Sequence, residues 1–150
     1  MRRSTRRTLA AAAVGAAGLG LLGGTTAAAT PFTTTAWHDS GGSWDDPNDA
    51  GGVSVYEKTS DLSAGGGNVL GQFFAYGEKI SIIDHHDNGR RAIVKLWVGK
   101  SGPAVFYGNG DGTERIIDES YDEGQTVKIQ VCTSTSAKAQ CSSNTYRGRS

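Results

Sequence analysis

Past residue 30 the chain never holds a helical apolar period for more than one or two turns, and apolar and polar residues alternate instead. Ile80 and Ile82 fall on one face, Lys79 and Ser81 on the other. Ala92, Val94, Leu96 and Val98 share a face against Ile93, Lys95 and Trp97. Val127, Ile129 and Val131 oppose Lys128 and Gln130. Side chains in an extended chain point alternately to two sides, so each run reads as a strand with one buried face. Residues 53–57, 69–76, 104–107 and 113–118 carry a fainter version of the pattern. A last strand over 139–146 is expected to pair with 125–132. Asn88-Gly89 and Asn109-Gly110-Asp111-Gly112 supply residues that accept positive φ, as tight hairpins require. Seven or eight short strands with frequent turns predict an all-β fold, a small antiparallel β-sandwich, with a small β-barrel as the alternative.

The first segment has a different character. Arg2, Arg3, Arg6 and Arg7 precede a small-residue apolar run over 9–24, and Thr25-Thr26-Ala27-Ala28-Ala29 offers a cleavage site before Thr30. This is the layout of a signal peptide over residues 1–29. A membrane span needs about 20 largely apolar residues, and this run is shorter and diluted by five glycines. Arg6-Arg7-Thr8-Leu9 suits twin-arginine as well as Sec export. The expected product is secreted, with no membrane association after cleavage. Residues 30–52, rich in Thr, Gly, Ser and Asp, read as a flexible acidic arm before a β-domain over 53–150.

Cleavage changes the charge. The full chain has 15 basic and 15 acidic residues; losing four Arg leaves 11 against 15, a net charge of −4. No basic stripe of the kind nucleic acid demands dominates, so nucleic acid is not an expected partner. Residues 39–61 hold six acids and one Lys, whereas 125–150 hold four basic residues and no acid. The length suits one domain, expected to be a monomer. Cys132 and Cys141, the only cysteines, should pair outside the cell. Closing a loop of about ten residues removes roughly 2.5–3 kcal/mol of unfolded-state freedom.

Several constellations bear on chemistry. His38-Asp39-Ser40-Gly41-Gly42 has the look of a serine-protease nucleophile loop, but too few residues precede it to supply the other two triad members in the usual order. Asp46, Asn48, Gly51 and Glu57 match positions one, three, six and twelve of a calcium loop, and Ala50 breaks the match at position five. A weak calcium site would draw on Asp45, Asp46, Asn48, Asp49 and Glu57. In Asp84-His85-His86-Asp87 the two imidazoles of an extended chain would face opposite ways, which opposes a shared metal ion. No coherent catalytic set emerges, no enzyme activity is expected, and no cofactor is implied. Trp37, Trp44 and Trp97 are candidate ligand-binding residues, because an indole beside polar groups can stack on a sugar ring.

From Gly77 onward the chain resembles a group of small secreted actinobacterial, Streptomyces-like proteins of uncharacterised function. The resemblance rests on Gly77-Glu78-Lys79-Ile80-Ser81-Ile82, Asp84, Asp87-Asn88-Gly89, Ala92-Ile93-Val94, and Asn109-Gly110-Asp111-Gly112. It continues through Glu123-Gly124-Gln125-Thr126-Val127 to Val131-Cys132 and Cys141. It implies a secreted β-rich domain and no catalytic residue. Some members carry a further cysteine pair near residues 82–84, which this chain lacks. The expected function is extracellular binding or a structural role without catalysis. The alternatives are a carbohydrate or cell-wall binding module using exposed Trp, a protease inhibitor presenting the Cys132–Cys141 loop, or weak calcium binding.

Overall fold

The computed structural model describes residues 37–110 and 112–150; the expected leader, residues 1–29, lies outside them. Nine strands and no helix occur among the described residues: β1 Trp37–Asp45, β2 Val53–Asp61, β3 Asn68–Phe74, β4 Lys79–Asp84, β5 Ile93–Val98, β6 Ser101–Tyr107, β7 Glu114–Asp118, β8 Thr126–Cys132 and β9 Arg147–Arg149. All pairings are antiparallel, in the order β6-β5-β8-β9-β2-β3-β4-β7, with β1 beside β2. The fold is all-β. The sheet curls so that its β5–β8 half packs on its β2–β3–β4 half, and the two layers of the sandwich are two ends of one half-barrel.

The alternating runs locate the core. Val55, Val69, Phe73, Ile80, Ile82, Val94, Leu96, Val127, Ile129 and Val131 are all buried and form one cluster between the halves. Gly71 marks the closest approach. A Cβ there would lie 2.6 Å from Val94 Cγ2 and 3.3 Å from Val131 Cβ, so the absent side chain lets β3 settle onto β5 and β8. The curl is bridged by β9, which pairs with Thr126–Lys128 of β8 and, through Arg149, with Val53 of β2. Gly148 fits because a Cβ would come within 2.6 Å of the Val53 carbonyl oxygen.

Three expectations need correction. The flexible arm is not one over its described part: residues 37–45 pair with β2 along their whole length. Its signal is weak because glycines, not apolar side chains, make the contacts. At Gly41 a Cβ would meet the Tyr146 ring at 2.5 Å, and at Gly42 the Tyr56 ring at 2.9 Å, so two tyrosines occupy the space those side chains would need. Asn88-Gly89 and Asn109–Gly112 do not close hairpins. Gly89, Gly110 and Gly112 do adopt positive φ, but β4 and β5 belong to opposite halves, and β6 and β7 are the two outermost strands. The actual tight reversals are Ala75-Tyr76-Gly77-Glu78 between β3 and β4 and Gly99-Lys100 between β5 and β6. Lastly, the segment over 139–146 contributes only a Cys132–Cys141 bridge, and β9 takes its place against β8.

The outermost strands are irregular or charged. In β6 the register shifts at Gly102-Pro103, opposite Leu96 to Val98. In β7, Glu114, Arg115 and Asp118 flank Ile116 and Ile117.

Candidate functional site

The site grows out of Asp84, the last residue of β4. Its carboxylate is buried and accepts two backbone N–H groups, from His86 (3.1 Å) and from Ala92 (2.7 Å). One side chain therefore ties both ends of the β4–β5 crossover. Asn88 adds a second knot: its Oδ1 accepts the Arg90 N–H (2.8 Å), and its amide donates to His86 Nδ1 (2.7 Å) and to the Thr133 carbonyl (3.4 Å). An amide donor at Nδ1 assigns the His86 proton to Nε2, from the hydrogen-bond network. The Trp37 ring meets the His86 ring edge-on, with centroids 5.1 Å apart.

The loop so held forms one wall of a cleft of about 720 Å³, and the β6–β7 connection forms the other. His85, His86, Asp87, Arg90 and Arg91 line it from one side, Asn109, Gly110 and Gly112 from the other. The absent Cβ at Gly112 would lie 3.4 Å from His85 Nδ1, so a small residue there brings the two walls together. Both histidines reach the cleft, unlike the opposed pair expected of an extended chain, because β4 ends at Asp84. Arg90 and Arg91 are exposed, and among the described residues neither guanidinium has an ion-pair or hydrogen-bond partner. A second hollow, about 550 Å³, shares both arginines and adds Tyr107, Ser134, Thr135 and Ser136.

The other expected site residues are dispersed. Trp37 and Trp44 stand near opposite ends of β1, seven positions apart, so they face opposite sides of the strand. Trp44, 37% exposed, leans on Tyr56 and Phe74 at 6.3 and 6.1 Å. Trp97 lies on β5 beneath the Lys128 ammonium, 5.9 Å from the ring centroid. The three indoles make no common platform. The calcium-loop residues also separate. Asp46 accepts the Asn48 N–H (3.0 Å) and the Ser54 hydroxyl (3.4 Å) at the β1–β2 turn. Glu57 is buried within β2, and its Oε1 accepts the N–H groups of Thr145 (2.8 Å) and Tyr146 (3.1 Å). A strand from Val53 onward replaces the loop that would wrap a cation. Among the described residues no group of three His, Cys, Asp or Glu could hold a metal ion.

His38, Asp39 and Ser40 lie within the paired length of β1, not at a sharp turn. Cys132 and Cys141 are bonded. In their loop Thr133 and Ser134 are buried, Thr135, Ala137, Lys138 and Gln140 are exposed, and the Thr133 N–H donates to the Gln140 carbonyl.

Comparisons with protein-family models, with curated proteins and with solved structures found no match. Arg90, Arg91, Tyr107 and Ser134–Ser136 were not singled out in the sequence. The one signal was two adjacent Arg just after Asn88-Gly89, which also describes an ordinary solvated turn.

Proposed function

We propose that this chain is an exported binding protein without catalytic activity that captures its ligand in the cleft between the β4–β5 and β6–β7 connections. The observation that carries this reading is the Arg90–Arg91 pair, without an ion-pair partner among the described residues, on a loop tied at both ends by Asp84. Two unpaired cations on a pre-ordered loop are available to a partner at little cost in ordering. The leader-like first residues and the single disulfide support an extracellular setting. So does the resemblance to small secreted actinobacterial proteins. Sedimentation with insoluble peptidoglycan, chitin and cellulose tests the reading, with the Arg90→Ala/Arg91→Ala double variant as control. Retention of the parent chain and release of the variant is the expected result. Equal retention of both moves the site elsewhere, and retention of neither removes the cell-wall class of ligand. A second reading, sugar stacking on Trp44, draws on its exposure beside Tyr56 and Phe74. It expects Trp44→Ala, not the arginine variant, to abolish retention.

A further inference from the structure

The cleft and the neighbouring hollow share Arg90 and Arg91 and meet along them. We infer that together they form one groove for an anionic polysaccharide, whose carboxylate groups are held by Arg90 and Arg91. The inference rests on the proposed binding role of the cleft and adds the chemistry of what binds.

Charge argues first. The hollow holds no acidic residue among its lining, and the segment over 125–150 that supplies one wall has none either. Of the two acids among the cleft's described lining residues, Asp84 is buried and already holds two N–H groups. Asp87, the other, is exposed, and it biases anions toward the arginine side. Guanidinium is the side chain best shaped for two-point contact with carboxylate.

The rest of the lining argues for a sugar chain over a peptide. Two hollows joined at a charged ridge suit an elongated ligand, and no aliphatic side chain lines either one to receive apolar residues. Tyr107, 46% exposed, offers a ring face for a pyranose. Ser136 Oγ accepts the Lys138 N–H, which leaves its hydroxyl proton to donate to a sugar oxygen.

Nuclear magnetic resonance titration of the full, isotope-labelled chain tests this with three soluble probes: oligogalacturonate, its fully methyl-esterified form, and poly-glutamate. The expected result is saturable shifts at amides over 85–92, 107 and 134–136 with oligogalacturonate. Esterification, Arg90→Ala and Arg91→Ala should each weaken binding about tenfold or more. Both arginines are exposed, so thermal melts of the variants should match the parent. If the esterified chain binds equally well at the same amides, the cleft stands and the anionic inference falls. If poly-glutamate binds as tightly as oligogalacturonate, the polysaccharide assignment falls. If no probe shifts these amides, the inference is overturned, whereas the cell-wall sedimentation assay reports separately on the binding role.

Discussion

Asp84 holds the β4–β5 crossover with a single carboxylate, and its two bonds go to donors of unequal standing. The Ala92 N–H is buried and has no water to fall back on; the His86 N–H is nearer the surface. Asp84→Ala leaves the first unpaired and should cost about 2–4 kcal/mol, measured by urea unfolding. Amide exchange at Ala92 should accelerate by more than at core strands. Tyr121 makes a different prediction. Burial against Phe73, and then the charges of Glu119 and Glu78, push its hydroxyl from the ordinary 10.0 up to about 12. Between those values the folded chain keeps a proton that the unfolded chain releases. The stability tied to neutral Tyr121 is therefore whole below about pH 10 and fades as pH climbs through the folded value. Tyr121→Phe should flatten the alkaline limb of stability against pH, and tyrosinate absorbance should show one late-titrating group. Glu57 shows why single residues mislead. In the sequence it completes a calcium spacing; in the fold it follows Val55 on the inward face of β2 and holds the chain at Thr145 and Tyr146, 88 and 89 positions away. Nothing local announces so distant a partner.

At the scale of the strand, alternation was a good guide wherever one face is apolar. The runs through Ile80 and Ile82, through Val94 and Leu96, and through Val127 and Ile129 are β4, β5 and β8 with their expected faces inward. It gave no notice of β1, whose contacts are made by tyrosine rings over glycine. Nor did it say which strand pairs with which, because a strand's pattern records its buried face and not its neighbour. Turn residues share that silence: positive φ at Gly89 serves a crossover as readily as a hairpin. The cleft was missed for the same reason, since it exists only where two crossovers meet. Gly71 tests the packing of the two halves. Gly71→Ala puts a methyl against Val94 Cγ2 and Val131 and should destabilise the fold by about 1–3 kcal/mol. The same change at Gly89, where nothing lies within 4 Å, carries only the backbone strain of positive φ.

For the molecule as a whole, folding one sheet over itself leaves two end borders unpaired among the described residues, the outer edges of β6 and β7, and a side border at β1, which pairs only with β2. A bare border invites another copy to add its own strand. Pro103 contributes no N–H there and sits where the β5–β6 register breaks. Glu114, Arg115 and Asp118 put charge along the other border. Both features oppose end-to-end growth of the sheet. Pro103→Val should therefore raise the self-association measured by sedimentation velocity, with little change in the monomer's circular dichroism. Guarded at both ends in this way, copies of the chain can crowd together without their sheets knitting end to end into fibres.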